Sequence, residues 1–142
     1  MADFTRVDFN FDLALQLSRE LWSLSVTLGY TKFTRERHIA SAHKDWLGPD
    51  GNTFRRNTAL ESDTFDEVKL ALREAADSWA QAWADATDEN NRREHQAKVV
   101  EERNSRGSGE RIFDIVHGDD SAAVVGPAPG PVTVPTGPDF TP

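Results

Sequence analysis

The chain has 142 residues, which leaves room for one ordinary domain. Hydrophobic residues make up 37% and charged residues 28%, and this balance favours elongated helices or flexible ends over a compact globule. The formal net charge of −8 argues against nucleic acid as a partner, because a phosphate backbone would be repelled. The absence of cysteine excludes disulfide frameworks and thiolate metal sites. No run of about 18 apolar residues occurs, so no membrane span is predicted.

The first segment, residues 1–11, is predicted to be an N-terminal arm in which phenylalanines alternate with polar residues. Arg6 is its only base, and no long apolar stretch follows, so the pattern of a secretory signal peptide is missing. We therefore expect the protein to be made in the cytoplasm and, if it is secreted, to leave without a signal peptide.

The second segment, residues 12–45, is predicted to be one helix. It contains no proline and a single glycine. Five leucines follow one another at steps of four, four, three and four residues, which is the spacing of one helical face: Leu13, Leu17, Leu21, Leu24 and Leu28.

Residues 45–52 are predicted to form a turn, because two glycines, one proline and two aspartates fall within eight positions. Pro49 disfavours helical geometry at Gly48, and Gly48 tolerates a positive φ. The ring of Trp46 is expected to cover the end of the helix pair. The predicted turn motif therefore consists of Trp46, Gly48 and Pro49.

Residues 52–105 are predicted to be the second helix. Its apolar residues advance by three and four in alternation, the heptad pattern of a helix that lies along another helix: Phe65, Val68, Leu72, Ala75, Trp79, Ala82 and Ala86. After Ala86 the sequence becomes strongly charged, so the last part of the helix is expected to be solvated. The fold class is therefore all-α, an antiparallel two-helix hairpin over residues 12–106.

Residues 107–142 are predicted to be a flexible linker and a disordered tail, since the last 16 residues contain six of the seven prolines. Such a tail samples extended polyproline II conformations. Two interpretations stay open for it, a spacer and a ligand for an aromatic groove.

The aromatic content indicates that a single hairpin is incomplete. Two helices can bury only one narrow face of each against the other, yet the chain has four tryptophans and eight phenylalanines. We therefore expect a dimer, with itself or with a second helical-hairpin protein, that completes a four-helix bundle. The alternative is that the phenylalanines of the arm fold back and cover the second flank. The predicted interface residues are Leu17, Leu21, Leu24, Leu28, Phe65, Val68, Leu72, Trp79 and Trp83.

Charge is distributed unevenly between the two predicted helices. Residues 61–89 contain nine acids and two bases, net −7, whereas residues 32–56 contain six bases and three acids, net +3. Antiparallel packing would bring part of the basic stretch beside the acidic one and so help to set the register. A solvated acidic face and a basic partner helix are the alternatives.

The tripeptide Trp46-Leu47-Gly48, between two long helices, resembles the WXG100 (ESAT-6-like) superfamily. The resemblance covers about residues 10–105. It implies a helical hairpin that pairs with another hairpin and is exported folded and leaderless by a type VII secretion system. The family's export signal, Tyr-x-x-x-Asp/Glu after the second helix, is missing, because the only tyrosine is Tyr30 and Thr34 stands four residues after it. A partner is therefore expected to carry the signal.

No pattern of an enzyme or of a cofactor site is found. The four histidines lack the spacing of a metal or acid–base motif, and no nucleophile turn or phosphate loop is present: His38, His43, His95 and His117. Asp119-Asp120 is interpreted as a solvated pair. The sequence thus predicts a non-enzymatic, WXG100-like type VII secretion substrate or adaptor, with no catalytic residue, cofactor or metal. Its partner is another copy, a second hairpin protein or a secretion-system component. The alternative function is a structural or assembly subunit of a larger particle, such as a phage or contractile system.

Overall fold

The structure, a computed structural model, describes residues 4–107, 109, 118 and 121–137. Three helices are found in this part of the chain: α1 (Phe11–His43), α2 (Pro49–Ser105) and α3 (Ser121–Val125). No strand occurs among the described residues. The chain divides into two compact units. The hairpin unit comprises Phe11–Gln81 and Pro135–Pro142, and the terminal unit comprises Met1–Asn10 and Ala82–Val134.

The bounds of both long helices lie close to those predicted. α1 has 33 residues, with Asp12 in its first turn and His43 in its last, where each side chain suits the helix dipole. α2 has 57 residues and begins at Pro49, three residues earlier than predicted. Pro49 therefore belongs to the helix rather than to the turn, because a proline at the first helical position has a suitable φ and no N–H to satisfy.

In the hairpin unit α1 and α2 run antiparallel. Lys32 pairs with Asp66 and Arg35 with Glu61, while the Trp22 indole N–H donates a hydrogen bond to Asp77. The partner's number falls as the α1 number rises, which is possible only if the helices run in opposite directions. The all-α class and the two long helices of the prediction are thus found.

Small side chains lie at the centre of the helix contact. Ser25 and Ala76 are fully buried, and Ala14, Ser18 and Ala80 are nearly so. The Ser25 hydroxyl donates to the carbonyl of Trp22 in its own helix at 2.7 Å, so its burial leaves no unpaired donor. Small residues let two helix backbones approach closely. The large side chains are therefore displaced to the flanks of the contact.

The terminal unit contains the second half of α2 with chain segments attached to it. The Val7 N–H donates to the side-chain oxygen of Asn90 at 2.8 Å, and Arg93 donates to the carbonyl of Thr5 at 2.8 Å. The arm thus folds back on α2 at Asn90 and Arg93, while the coverage of the second flank by its phenylalanines stays a prediction. Glu89 accepts hydrogen bonds from Arg92 and Arg93, which lowers the pKa of its carboxyl from 4.5 to about 2.

The described part of the tail differs from a free spacer. The Val132 N–H donates to the Asp88 carboxylate at 2.8 Å, and the His95 ring nitrogen hydrogen-bonds to the Gly126 carbonyl at 2.8 Å. Helix α3 precedes this extended stretch. Backbone groups that an extended chain leaves unpaired are satisfied here by polar side chains of α2. The predicted disorder of residues 138–142 lies outside the described residues.

Candidate functional site

The candidate site is an exposed apolar face of the hairpin unit. Its α1 side is the leucine stripe, and its α2 side is the heptad pattern. Both stripes lie on the same side of the helix pair. Arg35 and Ile39 extend the leucine stripe along α1. They lie beside Glu61 and Phe65, at the start of the heptad pattern. Arg35 donates to the Glu61 carboxylate at 3.1 and 2.6 Å, and all four residues line one small cleft.

Half or nearly half of the surface of several predicted interface residues is exposed. Leu24 is 52% exposed, Val68 46% and Trp79 40%. Leu17, Leu21, Leu28, Phe65 and Leu72 are half-buried. Trp83, which belongs to the terminal unit, is also half-buried. The leucine stripe and the heptad pattern therefore do not bury each other fully, and their role as an interface with another chain stays a prediction. We name the part of this surface that belongs to the hairpin unit the apolar face, and it consists of Leu17, Leu21, Leu24, Leu28, Phe65, Val68, Leu72 and Trp79.

An open groove lies along α1 towards the turn. Its volume is about 780 Å³, and its wall is almost entirely one side of α1 with Phe54 of α2 at its end. Tyr30, Ile39 and Ala42 contribute apolar surface, while His38 and Arg35 contribute polar groups.

The segment between α1 and α2 packs its aromatic residue on α2. The Trp46 ring lies against Phe54, with ring centroids 4.8 Å apart, and His43 meets the same ring edge-on at 5.4 Å. Gly48 has φ of +98°, a value that L side chains rarely adopt. A Cβ atom on Gly51 would overlap the backbone carbonyl oxygen of Trp46. Two glycines are thus required here for different reasons, one by its dihedral angle and one by close approach.

Ion pairs between the helices fix their register near the turn. Asp66 accepts hydrogen bonds from Lys32 and Lys69, and these bonds lower the pKa of its carboxyl. The bond to Asp66 raises the pKa of the Lys32 ammonium. The Ser62 hydroxyl donates to Glu36 at 2.7 Å. The basic part of α1 therefore does lie beside the acidic part of α2, as the charge distribution predicted.

The histidines within the described residues have structural contacts. His43 packs on Phe54 and His95 bonds a carbonyl of the tail, while His38 is exposed in the groove wall. His117 and Asp119-Asp120 lie outside the described residues. Within the part of the chain that the structure covers, no group of three or more His, Asp or Glu side chains could hold a metal ion. Among the same residues, no helix is both long and apolar enough to cross a membrane.

The comparisons with known proteins give no relative. No known protein family, no curated protein and no solved structure matches this chain. Its function therefore has to be inferred from the residues and their geometry.

Two further exposed rows of residues lie outside the leucine stripe and the heptad pattern. Tyr30 and Phe33 on α1, and Leu60 and Leu70 on α2, are among the most exposed large apolar side chains. Each pair belongs to a row of residues at steps of three and four, mixed with charges of one sign. The steps of three and four alone could have revealed both rows, but the leucine and heptad stripes are the stronger signals and overlap them in sequence.

Proposed function

We propose that the chain is a non-enzymatic, WXG100-like hairpin protein that works by pairing its apolar face with another helical hairpin. In this role it serves as a substrate or adaptor of a type VII secretion system. The observation that carries the proposal is the half-exposed apolar face. On this face Trp79, Val68 and Leu24 remain open to solvent. Contiguous apolar surface of this kind is typical of protein interfaces.

The size of the apolar face suits a stable pair. In the hairpin unit the leucine stripe from Leu13, with its extension to Ile39, spans about 40 Å of α1 at about 1.5 Å per residue. Two adjacent helices present a width of about 18 Å. The product, about 700 Å² per copy, is close to the ~800 Å² per partner of an ordinary specific interface.

Charge favours an antiparallel arrangement of two such hairpins. Within the hairpin unit, residues 32–56 next to the turn carry net +3, while residues 11–31 and 57–81 together carry net −5. A parallel pair would place like charges side by side. An antiparallel pair places the basic turn end of each copy over the acidic end of the other, which is the favourable arrangement.

The position of the tripeptide supports the family assignment. Trp46, Leu47 and Gly48 all fall between α1 and α2. Since the Tyr-x-x-x-Asp/Glu signal is missing from the sequence, we propose that the paired hairpin protein carries the export signal. Release into the medium would then require both partners.

The pairing is tested by light scattering coupled to size-exclusion chromatography of the full chain. The expected mass is near twice 15.8 kDa for a self-paired chain, or 15.8 kDa for a chain that becomes a pair once its hairpin partner is added. The double variant Leu24→Ser with Trp79→Ser is expected to elute as a single copy with its helical circular dichroism intact. Leu47→Ser is the matched control, because Leu47 is more exposed than Leu24 but lies outside the apolar face.

Two results would count against the pairing: a native chain that stays at 15.8 kDa at every concentration and with a Trp-x-Gly hairpin protein encoded alongside it added, or an unchanged mass in the double variant. The secretion role has its own test in the gene neighbourhood. A type VII ATPase or a second Trp-x-Gly protein encoded alongside supports it, whereas capsid or sheath genes support a particle subunit.

A further inference from the structure

We propose that copies of this chain also associate head to tail, through two complementary seams that lie outside the apolar face. The first, the basic–aromatic seam, lies on α1 and consists of Arg19, Val26, Tyr30, Phe33 and Arg37. The second, the acidic seam, lies on α2 and consists of Leu60, Asp63, Glu67, Leu70 and Glu74. The acidic seam of one copy binds the basic–aromatic seam of the next.

Both seams have the spacing of a helix-pairing face. The acidic seam advances by three, four, three and four residues, and the basic–aromatic seam by seven, four, three and four. These are the steps of a heptad pattern, which keeps one side of a helix against a partner helix. Among the described residues the acidic seam has no hydrogen bond or ion pair to α1, and the basic–aromatic seam borders α2 along one shallow groove, at Lys69 and Arg73.

The apolar members of the seams are open to solvent. Tyr30 is 71% exposed, Phe33 60%, Leu60 60% and Leu70 57%. The residues that face the neighbouring helix of the same copy, such as Ser25 and Ala76, are fully buried. Both seams therefore point away from the helix contact, so a single copy cannot bring them together.

The charges of the two seams are opposite. The guanidinium carbon of Arg37 lies 6.0 Å from the centre of the Phe33 ring. Lys69 and Arg73 of α2 line the same shallow groove as Val26, Tyr30 and Phe33, although Lys69 is ion-paired with Asp66. Arg19 is half-buried, so Arg37 is the exposed base of this seam. On the acidic seam, the carboxylates of Asp63, Glu67 and Glu74 are exposed and have no hydrogen bond or ion pair to any described residue. The seams are thus complementary in charge as well as in spacing.

The geometry predicts a weak contact. Residues 19–37 extend over about 28 Å, and one helix face about 10 Å wide gives about 300 Å² per partner. This is well below the ~800 Å² of a stable interface, so association is expected only at high protein concentration. Because the two seams are different surfaces, the contact is heterologous, and it gives a growing chain of copies unless the rotation between successive copies closes a ring.

The test uses two single variants of the full chain in sedimentation experiments. Phe33→Glu introduces an acid into the basic–aromatic seam, and Glu67→Lys introduces a base into the acidic seam. Native protein is expected to gain mass as its concentration rises in about 0.05 M salt and to gain less in about 0.5 M salt, where charges are screened. Each variant alone is expected to stop growing, while an equal mixture of the two gains mass through one contact, between the intact acidic seam of Phe33→Glu and the intact basic–aromatic seam of Glu67→Lys. Glu101→Lys, which changes an exposed α2 acid outside the seam, is the matched control and is expected to grow like native protein.

Growth of either variant like the native chain, a mixture that fails to gain mass, or a native chain that never grows would each overturn the head-to-tail contact. The inference does not rest on the proposed function. The mass at low concentration reports whether copies pair through the apolar face, and the rise with concentration reports the seams. The two proposals can therefore fail separately.

Discussion

Gly51→Ala is expected to destabilise the hairpin unit, although alanine is the better helix former. Gly51 lies in the first turn of α2, is buried, and faces the backbone of Trp46. An added Cβ would overlap the Trp46 carbonyl oxygen and come within 3.1 Å of the carbonyl carbon. Since both atoms belong to the backbone, the connecting segment must move, and overpacking of this kind costs about 1–3 kcal/mol. The gain in helix propensity is only about 0.5–1 kcal/mol, so we expect a net loss of about 1–2 kcal/mol.

Gly29→Ala provides the matched control, because the same substitution there makes only an ordinary van der Waals contact. The nearest atom to a Cβ on Gly29 is the Lys69 Cδ at 3.9 Å, an ordinary van der Waals distance. Gly29 lies well inside α1 and has no positive φ. No steric cost therefore opposes the gain in helix propensity. The free energy of unfolding is expected to rise by about 0.5–1 kcal/mol.

The measurement is urea unfolding followed by circular dichroism at 222 nm, with native protein and both variants at one protein concentration. A fixed concentration matters because any self-association adds to the apparent stability. The two alanines are expected to shift the unfolding midpoint in opposite directions. If Gly51→Ala raised the midpoint as Gly29→Ala is expected to do, the close packing of α2 against the Trp46 backbone would be refuted.

Two further predictions concern the terminal unit. The pKa of the Glu89 carboxyl is lowered to about 2 by the hydrogen bonds from Arg92 and Arg93, so its ionised form stabilises the fold above the ordinary value of 4.5, and this contribution is lost as the pH falls through about 2. An NMR titration should place the native midpoint near 2 and that of the double variant Arg92→Gln, Arg93→Gln nearer 4.5; a native midpoint near 4.5 would contradict the geometry. Asp88→Ala removes the acceptor of the Val132 N–H, and hydrogen exchange at Val132 should accelerate by about tenfold or more, since a hydrogen bond to a charged group contributes about 1.5–3 kcal/mol. Glu101→Ala is the control for that measurement, and an unchanged rate at Val132 in Asp88→Ala would show that the tail does not depend on this bond.

The helices could be predicted from the sequence because their signals are local. A long stretch without proline and with leucines at helical spacing defines α1, and the heptad pattern defines most of α2. The start of α2 also has a local signal, because proline is preferred at the first position of a helix and Pro49 occupies it. Such features need no knowledge of what the helix packs against.

The face of each helix that meets the other could not be predicted in the same way. Large apolar residues mark a side that avoids water, yet Ser25 and Ala76 occupy the closest contact because only small side chains permit it. A heptad pattern also does not reveal whether its partner belongs to the same chain. The attachment of the tail depends on Asp88 and Val132, which are 44 residues apart, and no local pattern indicates such a bond.

The apolar face and the two seams produce assemblies of different symmetry, and this difference distinguishes a secreted pair from a particle subunit. A pair formed through the apolar face is isologous: each copy uses the same patch, the patch is consumed, and assembly stops at two. A contact between the basic–aromatic and acidic seams is heterologous and leaves a free end of each kind, so assembly continues unless a ring closes. A cargo that is exported as a folded pair needs the first contact and is hindered by the second, whereas a particle subunit needs the second. The ratio of the two affinities therefore discriminates between secretion and assembly: growth confined to concentrations far above those of pairing favours a secreted pair, and growth at comparable concentrations favours a subunit that polymerises.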